Sequence, residues 1–178
     1  MAVNRTITSV IKEQLKKYPI AAITGPRQAG KTTLLKQEFD NYRHVNLENY
    51  DNRTFALSDP NGFLETYDKY VIFDEVQRVP RLFSDLQDKV DRDQINGQYI
   101  LSGSQNFQLL QNITQSLAGR VALFNLFPLD FSELEKSNNL SDSISKVMTT
   151  GFYPAIFDRK MDPVRYYANY IETYVKRD

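Results

Sequence analysis

A glycine-rich segment, GPRQAGKT at residues 25–32, has the residue types and the spacing to bind a chain of phosphates. It satisfies the G-x-x-x-x-G-K-[ST] pattern, in which glycines let successive backbone N–H groups curl around the phosphates. Lys31 would reach the β- and γ-phosphates, and the Thr32 hydroxyl would ligate Mg²⁺. Thr33 would add a hydroxyl contact to the α-phosphate. The predicted nucleotide-binding residues are therefore Gly25, Pro26, Arg27, Gln28, Ala29, Gly30, Lys31, Thr32 and Thr33.

Two adjacent carboxylates, Asp74 and Glu75, follow the apolar run at residues 71–73. An aspartate in this place holds Mg²⁺, as Walker-B aspartates do, and an adjacent glutamate orients or deprotonates the attacking water. A helix N-cap with a first-turn charge is the structural alternative for the same pair. The phosphate-binding pattern favours the catalytic interpretation, with Thr32 and Asp74 as metal ligands and Glu75 as a catalytic residue.

A serine, Ser104, follows the apolar run at residues 98–101. From there a hydroxyl could bind the γ-phosphate or the attacking water, the role called sensor 1, and Asn106 is the second candidate for it. An N-cap of the next helix is nearly as well supported by the same residues. The hypothesis carried forward is that Ser104 is catalytic.

An arginine, Arg120, stands directly after Gly119 and before the last predicted strand. Arginine stabilises the charge that develops on a transferring phosphoryl group, often from a neighbouring subunit. This position suits an arginine finger of a homo-oligomer, and an arginine that caps helix carbonyls after a glycine is equally consistent with it. Four other polar residues near the motifs either line a nucleotide cleft or are solvated: Arg27, Gln28, Gln77 and Arg78.

Short apolar runs alternate with helix-like segments along the chain, and each run precedes one of these motifs or a turn. The predicted strands cover residues 19–23, 44–47, 70–73, 98–101 and 121–126. Strands joined by helix-length crossovers form a parallel sheet with helices on both faces, and functional groups gather at the carboxyl ends of its strands. The strand at 44–47 is inserted between the phosphate-loop strand and the Asp-Glu strand. We therefore predict an α/β three-layer αβα sandwich whose five strands have the order 5-1-4-3-2.

The composition limits the classes of partner. The chain has 178 residues, no cysteine, and 22 basic residues against 22 acidic ones. This balance gives no overall attraction to nucleic acid, although a local basic groove is compatible with it. The apolar runs are too short for a membrane span, and the expected location is cytoplasmic. Adenine is favoured over guanine because the nearest string to an Asn-Lys-x-Asp motif, at residues 88–91, lacks the asparagine.

The motifs together resemble those of a prokaryotic AAA+-like ATPase family whose core is often followed by a C-terminal domain of unknown function. The similarity lies in residues 25–33, 74–80, 102–105, 117–120 and 127–129, and it extends from about residue 5 to residue 178. The resemblance implies an ATPase core that binds ATP and Mg²⁺. It also implies that the chain is an N-terminal fragment of a longer protein.

Two domains are expected: a P-loop ATPase core at residues 1–134, and a helical lid, or the start of a truncated C-terminal region, at residues 135–178. An apolar helical stripe over residues 167–175 and a Ser/Asn-rich loop over 135–142 support the second region. Hydrolysis of ATP with Mg²⁺ is the first functional hypothesis. A nucleotide-dependent switch or scaffold that hydrolyses little is the alternative.

Overall fold

The chain forms two compact units in a computed structural model that describes residues 3–104 and 107–177. The sheet unit comprises Ile7–Arg27 and Lys31–Leu126. The helical unit comprises the described residues of Met1–Thr6, Gln28–Gly30 and Phe127–Asp178.

The sheet unit is built on one five-stranded parallel sheet, whose strands are β1 (Ile20–Thr24), β2 (Arg43–Asn46), β3 (Val71–Asp74), β4 (Tyr99–Ser102) and β5 (Val121–Asn125). Their order across the sheet is β2-β3-β4-β1-β5. This order is the predicted 5-1-4-3-2 viewed from the other edge, so the fold class is confirmed. The three central strands, β1, β3 and β4, are buried along their whole length because helices cover both faces of the sheet, and they are therefore continuous apolar runs.

Six α-helices of the sheet unit pack on the two faces of the sheet. Ala21, Ile72 and Ile100 face one side, where they pack with Ile11 and Leu35 of the first two helices. The alternate residues of the same strands face the other side, as the two-residue period of a strand requires. The helices are α1 (Ile7–Gln14), α2 (Lys31–Glu38), α3 (Tyr50–Ser58), α4 (Pro60–Thr66), α5 (Leu82–Asp93) and α6 (Phe107–Ser116).

Asp59 and Pro60 form the junction between α3 and α4. Asp59 ends α3, and its side chain accepts a hydrogen bond from the backbone N–H of Gly62 in the first turn of α4. Pro60 occupies the first turn of α4, where a backbone N–H has no intrahelical acceptor, so the missing N–H of proline costs no hydrogen bond.

The helical unit contains four α-helices and a cluster of tyrosines. Asp130 and Glu133 form a reciprocal capping box that begins the first of them, which extends two residues into the predicted Ser/Asn-rich loop. The last helix buries Tyr166 and Tyr170, one turn apart, whereas Ile171 of the predicted stripe is half exposed. The helices are α7 (Phe131–Lys136), α8 (Ile144–Thr150), α9 (Pro154–Asp158) and α10 (Pro163–Thr173).

A buried arginine, Arg5, joins three segments of the helical unit. Its Nε donates to Glu133 Oε2 at 3.0 Å, Nη1 donates to the Ala29 carbonyl at 2.9 Å, and Nη2 donates to the Phe127 carbonyl at 2.6 Å. The backbone N–H of Thr6 donates to the second Glu133 oxygen at 2.8 Å. Both members of the ion pair therefore also bind backbone groups. Such additional hydrogen bonds stabilise a charge pair that is shielded from water.

None of the helices in residues 3–104 and 107–177 has the length and apolar character needed to cross a membrane.

Candidate active site

The phosphate-binding loop lies between β1 and α2, which is the strand–loop–helix context that its pattern requires. Gly25 has a φ of 146°, and a Cβ there would lie 2.1 Å from the Leu126 carbonyl oxygen, so only glycine fits. Gly30 and Gln28 also have positive φ, at 96° and 61°. These left-handed conformations curl the loop before Lys31 begins α2.

The Lys31 side chain is almost completely buried within the curl of this loop. Its Nζ donates to the carbonyls of Gly25 and Pro26, both at 2.9 Å. Burial lowers the pKa of Lys31, and the charges of Glu75 and Asp74 oppose that effect. The loop therefore holds an ammonium group with carboxylates near it.

The other predicted residues of the loop differ in their surroundings. Arg27 and Thr33 are exposed, and Ala29 is fully buried. Gln28 is exposed as a residue, and its Oε1 accepts a hydrogen bond from the Tyr166 hydroxyl at 2.8 Å. The contact of Gln28 with Tyr166 was not foreseen from the sequence, because the two residues are 138 positions apart.

Asp74 is the last residue of β3, is 3% exposed, and receives several hydrogen bonds. Thr32 Oγ1 donates to its Oδ2 at 2.8 Å, and Ser102 Oγ donates to its Oδ1. His44 Nε2 lies 3.4 Å from Oδ2. Burial opposes ionisation of this carboxyl, but the interactions with His44, Ser102 and Thr32 outweigh burial and lower the pKa of Asp74 to about 2. The structure thus brings the two predicted metal ligands, Thr32 and Asp74, into direct contact.

Glu75 follows Asp74 in the left-handed conformation, with φ 57° and ψ 41°. A 3₁₀ turn, Val76–Arg78, comes next, and within the described residues the Glu75 side chain makes no capping hydrogen bond to it. Instead, Gln77 Nε2 donates to Glu75 Oε2 at 2.5 Å and to Ser104 Oγ at 3.2 Å. Two predicted catalytic residues, Glu75 and Ser104, are therefore joined by one amide.

Arg120 lies at the opposite edge of the sheet from the phosphate-binding loop. Its carbonyl accepts from the Ile20 N–H at the amino end of β1, whereas the loop leaves the carboxyl end of that strand. The guanidinium donates to both carboxylate oxygens of Asp91, at 2.5 and 2.6 Å, and to the Ala118 carbonyl at 3.0 Å. Arg120 is thus not brought together with Lys31 or Asp74 of its own chain. The second sensor candidate, Asn106, lies outside the described residues.

Ser102 and His44 were not predicted as functional, and Gln77 was predicted only as a residue that either lines a nucleotide cleft or is solvated. Ser102 and His44 contact Asp74 because parallel pairing places Asp74 beside Ser102 on one side and beside β2 on the other. A polar residue at the carboxyl end of a buried strand is a signal that points to Ser102 as well as to the predicted Ser104. The contacts of Gln77 depend on the turn after Glu75, which the sequence does not reveal.

Comparison with known proteins agrees with this architecture. Residues 17–135 match a family described as an AAA domain. Two solved structures have the same fold: a Walker-type ATPase of Pyrococcus abyssi, with a TM-score of 0.58, and AMPPCP-bound DnaA of Aquifex aeolicus, with a TM-score of 0.59. Each is 19% identical in sequence and aligns with 96% of this chain, covering 71% and 61% of its own chain respectively.

Two curated relatives are uncharacterized proteins of Mycobacterium bovis and Mycobacterium tuberculosis. Both are 30% identical over 98% of this chain, which spans only 39% of their length. The family match covers most of the chain and includes the phosphate-binding loop and the Asp-Glu pair. The chain therefore belongs to this AAA-domain family and has the fold of a P-loop ATPase.

Proposed function

We propose that the chain binds ATP with Mg²⁺ and hydrolyses it. The observation that carries this proposal is the contact between Thr32 and Asp74 beside the buried Lys31. A hydroxyl and an ionised carboxylate at 2.8 Å are two oxygen ligands at the place where a phosphate-bound Mg²⁺ is held in P-loop proteins.

The residues of the site fit Mg²⁺ by their chemistry. Mg²⁺ takes oxygen ligands and in nucleotide sites is bound through one or two carboxylates together with phosphates and water. The low pKa of Asp74 keeps its carboxylate ionised at neutral pH. Mg²⁺ held there would neutralise charge on the phosphates. Thr32 and Asp74 would hold it, and Lys31 would bind the β- and γ-phosphates.

Each catalytic residue has a distinct proposed part in hydrolysis. Glu75 would orient the attacking water or accept its proton. Ser104 would place its hydroxyl against the γ-phosphate or that water. Because Arg120 stands at the amino edge of its own sheet, it would act only on the site of a second copy of the chain.

Turnover of Mg²⁺-ATP by the 178-residue chain tests the proposal directly. Lys31→Ala should abolish both nucleotide binding and turnover, because the ammonium that faces the phosphates is removed. Glu75→Gln should abolish turnover and retain binding. Lys36→Ala and Glu65→Gln are matched controls at exposed helix positions, and both should behave like the wild type.

A nucleotide-dependent switch or scaffold that hydrolyses little ATP is the alternative. Binding that depends on Lys31, without turnover by the wild type, would favour the switch. Failure to bind ATP at all would contradict both functions.

The role of Arg120 has its own test by mixing variants. Arg120→Ala retains its own nucleotide site, and Lys31→Ala retains its arginine. If Arg120 acts on the nucleotide site of a second copy, mixing the two inactive variants should restore part of the turnover. The restored turnover should increase with the fraction of oligomers that contain both variants. No recovery, together with normal turnover of Arg120→Ala alone, would assign Arg120 to structure.

The same proposal assigns residues 1–134 to the ATPase core and residues 135–178 to a lid or to the start of a C-terminal region. It also includes a cytoplasmic location. The equal numbers of acidic and basic residues give no support to nucleic acid as a partner.

A further inference from the structure

Gln77 is a polar residue of the site to which the proposed reaction assigns no part. Its side-chain amide contacts two residues that do have one: Nε2 donates to Glu75 Oε2 at 2.5 Å and to Ser104 Oγ at 3.2 Å. These contacts cross from the end of β3 to the end of β4, so the amide spans two neighbouring strands at the carboxyl edge of the sheet.

The backbone around Gln77 is fixed by its neighbours. Val76 and Val79 are 1% and 0% exposed and anchor both sides of the 3₁₀ turn in the core. The turn is closed by hydrogen bonds from Arg78 N to the Glu75 carbonyl and from Val79 N to the Val76 carbonyl, both at 3.0 Å. The glutamine side chain therefore leaves a rigid turn that begins at Glu75 itself.

The chemistry of a primary amide suits this position. An ionised carboxylate only accepts hydrogen bonds, so the NH₂ group rather than the carbonyl oxygen must face Glu75. The amide has two N–H donors and places one on the carboxylate and one on the Ser104 hydroxyl. Because the hydroxyl oxygen accepts from Gln77, the hydroxyl proton of Ser104 is left to donate to another acceptor, such as a phosphoryl oxygen.

We propose that Gln77 is the positioning residue of ATP hydrolysis, which fixes the Glu75 carboxylate and the Ser104 hydroxyl relative to each other. The inference rests on the proposed function, because it gives these two residues a shared geometry for the attacking water. Gln77 acts through them and does not itself contact the nucleotide. Its removal should therefore slow the chemical step and leave ATP binding unchanged.

The experiment compares kcat, KM for Mg²⁺-ATP and the Kd of a nonhydrolysable ATP analogue among three variants of the chain. Gln77→Met keeps the length of the side chain and removes both donors. Gln77→Glu keeps its shape and puts a second carboxylate against Glu75. Gln37→Met is the matched control, since Gln37 is exposed on α2.

We expect Gln77→Met to lower kcat by about 10-fold, with KM and Kd within about 2-fold of the wild type. Gln77→Glu should lower kcat further, because two carboxylates repel each other. In a Ser104→Ala background, Gln77→Met should cost less than in the wild type, since one of the two groups it positions is absent. A structural role alone would produce neither the separation of kcat from KM nor this non-additivity.

The outcomes separate failure of this inference from failure of the proposed function. Suppose that the wild type hydrolyses ATP and that both Gln77 variants have a normal kcat, or a raised KM with an unchanged kcat. This result would overturn the positioning role and leave the proposed ATPase activity intact. Absence of wild-type turnover would overturn both. If Gln77→Met does not fold, as judged by its thermal melt, the folded Gln77→Glu variant decides the question by its kcat and KM.

Discussion

The two edges of the parallel sheet both gather charged side chains, but they balance charge differently. At the carboxyl edge, the buried carboxylate of Asp74 is held by the hydroxyls of Thr32 and Ser102 and by the nearby imidazole of His44. Hydroxyl donors stabilise an anion without cancelling its charge. Lys31, a buried cation of this edge, donates to loop carbonyls instead.

At the amino edge, cations and carboxylates are paired directly. Lys89 of α5 forms ion pairs with Asp68 and, at 2.7 Å, with Asp93, while Arg120 binds Asp91 through two hydrogen bonds. Burial alone would lower the pKa of Lys89, but the hydrogen bonds that its ammonium donates to Asp68 and Asp93 outweigh burial and raise it. The comparison teaches that direct ion pairs hold α5 at the amino edge, whereas the buried Lys31 and Asp74 at the carboxyl edge are stabilised by loop carbonyls and by hydroxyls.

The largest expected effect is at the carboxyl edge, from Asp74→Asn. This change keeps the size and removes the charge, so kcat/KM for Mg²⁺-ATP should fall by at least about 100-fold. Asp88→Asn, at an exposed position on α5, is the matched control and should retain normal kinetics. If Asp74→Asn hydrolysed ATP at the wild-type rate, the carboxyl edge would not have the catalytic role proposed for it.

At the amino edge, Lys89→Met should reduce stability and leave nucleotide binding unchanged. The change removes the buried cation that binds the partly buried Asp93 carboxylate and leaves the exposed Arg92, 3.4 Å away, beside it, which should lower the free energy of unfolding by about 2 kcal/mol. Urea denaturation measures it, with Lys69→Met as the control at an exposed lysine. An equal loss in both variants, or a change in ATP affinity in Lys89→Met, would contradict the structural role of this cluster.

Acid denaturation should distinguish the edges through Asp74. Its pKa is about 2 in the folded chain against an ordinary value of 3.8, so its contribution to stability is complete above that ordinary value and is lost as the pH falls toward 2. The lost contribution should be about 2 kcal/mol in EDTA. Unfolding free energies from pH 5 to pH 2 should therefore fall more steeply for the wild type than for Asp74→Asn. Parallel pH profiles would show that these hydrogen bonds do not stabilise the ionised form.

The smallest effect is expected from Asp91→Asn, which removes the exposed carboxylate partner of Arg120. Exposed ion pairs add little to stability, so Tm should change by no more than about 2 °C. Thermal melts measure the change, with Asp88→Asn as the reference. A much larger fall in Tm would show that the Arg120–Asp91 pair is part of the structural framework.

The sequence was sufficient to predict the sheet and the main motif. The three central strands were predictable because buried parallel strands are continuous apolar runs, and all five strands were located to within one residue. The inserted strand at Arg43–Asn46, which is only partly buried, gave the strand order. The phosphate-binding loop was predictable because a local pattern determines its geometry. Asp130 and Glu133 offered a capping-box signal for α7 that was not used.

The missing part of the prediction concerns partners that are distant in sequence. The contact of Ser102 with Asp74 depends on the register of two strands, and that of Gln77 with Ser104 depends on the turn after β3. Residue types indicate what such groups can donate or accept, but not which partner lies within 3 Å. Arg120 shows the same limit, because its two hypotheses predict the same local sequence.

The left-handed backbone of Glu75 sets stability against activity at a single position. A side chain in this conformation costs about 1 kcal/mol or more relative to glycine, which adopts it freely. A Glu75→Gly change would relax the turn and remove the carboxylate that Gln77 holds. Selection for thermal resistance alone would therefore favour loss of the proposed catalytic carboxylate, and stabilising substitutions elsewhere in the chain avoid this conflict by leaving position 75 unchanged.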